Sequence, residues 1–165
     1  MTTTTSTRGP ARTEGTAPID PAAVVDEFFA AYRRHDVHAM TDMCTDNAGF
    51  RYVPYEVWGK QRVLRGDGKV KTIGKTLWTG LIKSFPDLFN VVHSIDAGPD
   101  GDVIVSCDIG GTQQIAWGFA VSQTRAFSEP HLFLFHVDRT GLIDDITAYW
   151  NDGGINRQLG HLEVD

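Results

Sequence analysis

The stretch Gly141–Gly160, GLIDDITAYWNDGGINRQLG, is the most informative part of the sequence for the fold and for the candidate site. Its first half alternates between two kinds of side chain, which predicts a strand that ends near Asn151 and leads into a short helical segment. Apart from Asp144, one face is apolar, with Leu142, Ile146, Ala148 and Trp150; the other is more polar, with Asp145, Thr147, Tyr149 and Asn151. Such a strand separates a packed core from water or from a ligand cavity. We therefore expect the chemistry at its polar end, Trp150-Asn151-Asp152.

The rest of the chain divides into helices first and strands afterwards. Apolar spacing predicts amphipathic helices over residues 21–34, 37–44 and 69–85, with a short strand over Ala48–Val53 and a turn at Gly66–Gly68. The predicted strands that follow are Leu88–Ile95, Val103–Ile109, Ile115–Val121, His131–Val137 and Leu142–Trp150, with hairpin turns at 98–101 and 138–141. This order predicts an α+β fold in which helices pack on one face of a curved antiparallel sheet. The resulting cone can hold a small ligand.

Composition limits the function classes. The 165 residues suit a disordered tail over 1–19 followed by a single domain over 20–165. A net charge of −6 argues against nucleic acid as a partner. No apolar run is long enough for a membrane span or a signal segment, so we expect a cytoplasmic protein without a membrane partner. The two cysteines are far apart, and no histidine or carboxylate spacing indicates a metal site.

Three segments carry a family likeness. SFPDLFNVV at 84–92, GDVIVSCDIGGT at 101–112 and the Gly141–Gly160 stretch together resemble the SnoaL-like polyketide cyclases of the NTF2-like, or ketosteroid-isomerase-like, superfamily. The likeness covers about residues 21–160. It implies a cone-shaped α+β domain, acid/base catalysis without a cofactor, and pairing into a homodimer through the open face of the sheet.

The chain departs from the family pattern at two titratable positions. Counted back from Gln158-Leu159-Gly160, the family's general acid/base Asp falls on Asn151, and the carboxylate is one residue later, at Asp152. The histidine of the family's Gly-Thr-His is Gln113 here. An amide cannot accept and release a proton at physiological pH, so either Asp152 takes over or the reaction differs. Asp152 is predicted to be either a helix cap or the catalytic base; Asn151 is either a substrate-orienting amide or a satisfied strand-end amide.

Other candidates for proton transfer lie on neighbouring strands. His131 and His136 occupy opposite faces of one strand. A four-residue turn would oppose Leu132 to Thr147 and His136 to Ile143, placing His136 on the face of Asn151, whereas a turn one residue longer or shorter would favour His131. Asp108, inside a strand, is a second candidate for the catalytic carboxylate. His93 is either a proton shuttle or a surface residue.

The aromatic content indicates the kind of ligand. Tyr52, Tyr55 and Trp58 are expected beside the mouth of the cone, where they would stack on a planar polyketide or an isoprenoid. The predicted substrate-binding set is completed by Trp78, His93, Gln113, Phe133 and Tyr149. The leading hypothesis is a cofactor-independent cyclase or isomerase acting on a small apolar natural-product intermediate. Epoxide opening and a non-catalytic small-ligand-binding module are the alternatives.

Overall fold

The computed structural model describes residues 17–55, 66–117 and 121–161. The helices are α1 (Pro21–Arg33), α2 (Val37–Asp42), α3 (Lys75–Ser84) and α4 (Asp152–Leu159), with a π-helical turn at Val70–Gly74 and a 3-10 turn at Pro99–Gly101. The strands are β1 (Cys44–Tyr55), β2 (Gly66–Lys69), β3 (Phe89–Ala97), β4 (Asp102–Thr112), β5 (Ala126–Val137) and β6 (Ile143–Asn151). The α+β prediction is confirmed. Most of the predicted tail and Trp58 lie outside the described residues.

The six strands form one open sheet in the order β2-β1-β6-β5-β4-β3. Strands β3 to β6 form the predicted antiparallel meander. β1 lies parallel to β6 and antiparallel to β2, two pairings that the sequence did not predict. The end of β6, and with it the start of α4, is therefore supported on both sides, by β1 and by β5.

The core lies between α1 and the inner face of the sheet. Asp20 starts α1 as its N-cap, because its carboxylate accepts hydrogen bonds from the backbone of the first turn. Phe28 and Phe29 are fully buried and meet Phe135 and Phe133 of β5 edge to face, at ring separations of 5.2 and 5.3 Å. This packing fixes which face of β5 points inward. No helix in the described ranges is long and apolar enough to cross a membrane.

The predicted strand over Ile115–Val121 is wrong in the part that the structure describes. After Thr112 the chain leaves the sheet, and the backbone N–H of Gln114 donates to the carbonyl of Ser84 on α3 (2.8 Å). The Ser84 hydroxyl in turn donates to the carbonyl of Ala116 (3.1 Å). These bonds hold Trp117 over the open end of the space between helices and sheet. Apolar spacing alone did not separate such a covering segment from a strand.

Three further boundaries differ from the sequence prediction. The predicted turn at Gly66–Gly68 belongs to β2, which pairs with Phe50–Tyr52 of β1. β1 itself continues through Pro54 to Tyr55, because Pro54 still lies opposite Trp150 in the parallel ladder. The helix predicted from residue 69 begins as a π-helical turn and becomes α-helical only at Lys75.

Candidate active site

An aromatic cavity occupies the space between α1, α3 and the inner face of the sheet. Its volume is ≈ 60 Å³, room for a few water molecules. Its walls are almost entirely apolar, and the side chains with a polar atom are Tyr32, Tyr52, Trp78, Trp117, His131 and Trp150. Tyr52, Trp78 and Phe133 were predicted to bind substrate, and the structure brings all three to this cavity. In so apolar a space, each hydrogen-bonding group has a large influence on which ligand fits.

Asp152 is a buried carboxylate at the start of α4, the helix that supplies the wall residue Ile155 to the cavity. It is the first residue of α4, is 2 % exposed, and its Oδ2 makes no hydrogen bond with any residue that the structure describes. Burial raises the pKa of this carboxyl group, and a hydrogen bond from Asn156 opposes the shift in part. Asp152 is not itself a wall residue; Ile155, one turn later on α4, is.

Tyr52 connects Asp152 to the cavity. Burial and, to a smaller extent, the negative charge of Asp152 raise the pKa of the Tyr52 hydroxyl, which keeps it protonated. The Tyr52 ring packs against the Trp150 ring, with the centroids 5.5 Å apart. The three residues therefore form one cluster at the junction of β1, β6 and α4, with the carboxylate behind the aromatic wall.

Asn151, not Asp152, caps α4. The Oδ1 atom of Asn151 accepts a hydrogen bond from the backbone N–H of Gly154 (2.8 Å), while Asn151 itself keeps an extended backbone. Of the two alternatives predicted for Asp152, the helix cap is therefore wrong, and the side-chain oxygen of Asn151 is occupied by this hydrogen bond. Because Asn151 performs the structural task, the carboxylate next to it is not needed for helix initiation.

His131 is the histidine that faces the cavity. It lies directly opposite Trp150 in the β5–β6 ladder, and both side chains line the cavity. Its Nδ1 is 2.9 Å from the carbonyl oxygen of Glu129; a carbonyl can only accept, so Nδ1 carries the proton and Nε2 keeps its lone pair. Burial lowers the pKa of His131 to about 4, so the ring is neutral at physiological pH.

The register of the β5–β6 hairpin differs from the predicted one. Leu132 opposes Tyr149 and His136 opposes Asp145, with a bulge before Val137, whereas the four-residue turn was expected to oppose Leu132 to Thr147. The shift is two residues, so the faces are unchanged and His136 shares the face of Tyr149. That face is the outer surface of the sheet.

The other polar candidates lie on this outer face. The Nδ1 atom of His136 is 2.5 Å from Asp144 Oδ1, which raises the pKa of the histidine, and Nε2 is 2.9 Å from the carbonyl of Asp100. His93 Nε2 is 2.8 Å from Asp108 Oδ2, and their side chains are 51 % and 34 % exposed. The structure thus places Asp108, His136 and His93 away from the cavity.

The remaining predicted residues also lie elsewhere. Tyr149 borders a groove on the outer face, and Tyr55 is 42 % exposed. Gln113 is fully buried next to the covering segment, where its backbone carbonyl accepts a hydrogen bond from Ser122 (3.1 Å).

Sequence reasoning missed Tyr32 and Trp117 as wall residues. Tyr32 was assigned only to the apolar face of a helix, and Trp117 to a strand. Neither assignment indicates that the side chain lines a cavity, because core residues and cavity-wall residues have the same apolar spacing. Within 17–55, 66–117 and 121–161, no group of three histidine, cysteine or acidic side chains could hold a metal ion.

Comparisons with known proteins identify the fold. No protein-family model matches the chain, and no curated protein matches its sequence significantly. AclR, a proposed hydroxylase from Streptomyces galilaeus, aligns with a TM-score of 0.70 at 19 % identity, over 87 % of this chain and 97 % of its own. A proposed SnoaL-like polyketide cyclase from Jannaschia aligns with a TM-score of 0.66 at 16 % identity, over 91 % and 99 %.

A third similar structure is SalBIII, an epoxide hydrolase/cyclase-like enzyme in pyran ring formation in the polyether salinomycin. It aligns with a TM-score of 0.60 at 18 % identity, over 81 % of this chain and 92 % of its own. The chain therefore has the fold of the SnoaL-like, NTF2-like proteins, as the sequence resemblance predicted. The same fold recurs in 340 chains of known structure, so the chemistry has to be argued from the site.

Proposed function

We propose that the protein is a cofactor-independent cyclase or isomerase that acts on a small, largely apolar natural-product intermediate, such as a polyketide. One observation carries the proposal: Asp152 is a buried carboxylate near an aromatic cavity, and its Oδ2 has no hydrogen-bond partner among the residues that the structure describes. Burying a charge without a partner costs stability, and such a cost is typical of a functional group. The names of the similar structures, among them a proposed polyketide cyclase and a ring-forming enzyme, support the same reaction class.

The proposed chemistry is general acid/base catalysis. Asp152 removes a proton from the carbon next to a substrate carbonyl, and the resulting enolate carbon attacks a second carbonyl to close the ring. The new alkoxide then takes the proton back. Burial raises the pKa of this carboxyl group, which makes it a stronger base for the first step than an exposed carboxylate. The protonated Tyr52 hydroxyl is a donor in the cavity wall that is near enough to feel the charge of Asp152, and neutral His131 is an acceptor in the same cavity.

The second candidate function is epoxide opening. It is favoured by the loss of the family's Asp to Asn151, whose side-chain oxygen is used as a helix cap. Asp152 would remove the proton from a hydroxyl group or water, whose oxygen attacks one epoxide carbon while the bond between that carbon and the epoxide oxygen breaks. The resulting alkoxide then takes the proton from Asp152. Heavy-oxygen water distinguishes the two forms: hydrolysis incorporates the label, and internal ring closure does not.

The test is turnover of a panel of poly-β-carbonyl compounds and hydroxy-epoxides, analysed by mass spectrometry. Asp152→Asn keeps the size of the side chain and removes the proton acceptor, and we expect turnover to fall by about 100-fold or more. Asp108→Asn is the matched control, because Asp108 points away from the cavity, and it should keep wild-type turnover. Full activity in Asp152→Asn would contradict the proposal. A ligand that binds and returns unchanged would indicate a binding module instead.

We also propose that two copies pair through the outer face of the sheet. This face exposes Val53, Ile104, Leu132 and Leu134 beside a groove of ≈ 660 Å³. The groove has both signs of charge, with Arg51 and Asp102 among its residues, which suits a two-fold interface in which each patch meets its own copy. Light scattering should give a dimer for the wild type and a monomer for Leu134→Lys. Val121→Lys, at a 68 % exposed position off the sheet, should remain dimeric.

A further inference from the structure

The indole nitrogen of Trp150 is a second buried polar atom near the cavity. The side chain is 9 % exposed, and Nε1 makes no hydrogen bond with any residue in the described part of the chain. A buried tryptophan N–H normally has an acceptor, since an unpaired donor keeps its full desolvation cost. An exception of this kind needs a physical explanation.

The position of Trp150 indicates where an acceptor would come from. Its ring forms part of the cavity wall, opposite His131 in the ladder and 5.5 Å from the ring of Tyr52. Other described wall residues, among them Ala148 and Ile155, have hydrocarbon side chains. A donor at the edge of an apolar wall can be satisfied by a molecule that brings its own oxygen.

We propose that Trp150 is a specificity-determining residue whose indole N–H binds a neutral oxygen acceptor of the ligand, such as a carbonyl, ether or epoxide oxygen. The inference rests on the proposed function, because it names the substrate group held beside Asp152. A hydrocarbon of the same shape leaves the N–H unpaired. A carboxylate is disfavoured because the charge of Asp152 is nearby and the wall residues that the structure describes include no lysine or arginine. The ligand class is therefore oxygenated, uncharged and otherwise apolar.

The binding test uses 1-indanone and its oxygen-free counterpart indane. In wild-type protein labelled with nitrogen-15, the indole N–H signal of Trp150, assigned by its loss in Trp150→Phe, should move downfield with indanone and much less with indane. Trp150→Phe keeps an aromatic wall and removes the donor. We expect the preference for indanone over indane to fall by about fivefold to tenfold in this variant, the worth of one neutral hydrogen bond.

Trp117→Phe is the matched control, because Trp117 lines the same cavity and undergoes the same change of side chain. Its affinity for the two compounds should change by the same factor, which leaves the preference intact. A Trp150 signal that indanone does not move, including one already held by a buried water, would overturn the inference. So would an unchanged preference in Trp150→Phe, or the absence of indanone binding up to its solubility limit. The proposed function is decided separately, by turnover in Asp152→Asn.

Discussion

Protonation of His131 should destabilise the fold by an amount that follows from its burial. The pKa of His131 falls from 6.5 in the unfolded chain to about 4 in the native protein, because burial disfavours the imidazolium. Between these two values the unfolded state binds a proton that the folded state does not. The contribution of neutral His131 to the free energy of unfolding is therefore fully present above pH 6.5 and decreases as the pH falls toward 4.

The magnitude comes from linkage. A shift from 6.5 to about 4, at ~1.4 kcal/mol for each pH unit, sets a limit of about 3 kcal/mol, of which about 2.5 kcal/mol is lost by pH 4.5. The assay is urea unfolding at pH 8 and pH 4.5, for the wild type and for His131→Phe. The wild type should lose about 2.5 kcal/mol more than the variant between the two pH values.

Asp152 changes the stability with pH in the opposite direction, and the comparison of the wild type with His131→Phe removes this effect. Burial raises the pKa of the Asp152 carboxyl, so that this group favours folding more as the pH falls. The contribution is common to the wild type and His131→Phe and cancels in the difference. Repeating the pair of measurements in the Asp152→Asn background verifies the cancellation. A difference between wild type and His131→Phe that does not change with pH would refute the reasoning, because it would mean that the ring is charged or solvated in the native state.

Three further predictions concern single contacts. Asn151→Ala should lose about 1 kcal/mol of unfolding free energy with the cap of α4, whereas Asn151→Asp, also a good cap, should lose little; urea unfolding of both variants decides. An NMR titration should give His136 a pKa above 6.5, and the pKa should return toward 6.5 in Asp144→Asn. The stabilisation of the fold by this pair is complete below pH 6.5 and is lost as the pH rises through the native pKa. Gly80→Ala would place a methyl group 2.8 Å from the Trp117 ring. The increase of about 1 kcal/mol in unfolding free energy that Gly→Ala usually gives in a helix should therefore be absent, and it should reappear in a Trp117→Ala background.

The sequence was sufficient for the features that local patterns determine. Helix α1 begins at Pro21, as the apolar spacing predicted, and the turn after β5 ends at Gly141, whose φ of 87° needs a glycine. The end of β6 and the start of α4 were also predicted within a residue or two. In each case the evidence is a neighbouring side chain or a backbone conformation.

Features that depend on distant segments were not predictable in the same way. The parallel pairing of β1 with β6 joins residues almost a hundred positions apart, and no local pattern specifies it. The bulge before Val137 changed the hairpin register, although alternation had assigned the faces of His131 and His136 correctly. Which of these faces is the inner one was decided by the packing of α1 on β5, a tertiary contact.

The roles of the candidate site residues were also not predictable from local patterns. Asp152 and Asn151 were identified from the sequence, but their tasks could not be separated, because aspartate and asparagine are equally good helix caps. The hydrogen bond from Gly154 to Asn151 makes the distinction. Asp108 lies on the outer face because it alternates with the buried Cys107 and Ile109 along β4, and the exposed His93 is 2.8 Å from its carboxylate.

The adjacent placement of cap and carboxylate affects how this scaffold can evolve. Helix α4 is capped by the amide of Asn151, while the Oδ2 atom of Asp152 has no hydrogen-bond partner among the described residues. Under the proposed function, a mutation at Asp152 removes the proton acceptor and leaves the cap of α4 in place. Descendants of such a chain can acquire a new reaction, or become simple binders, by one substitution without first finding a compensating change elsewhere.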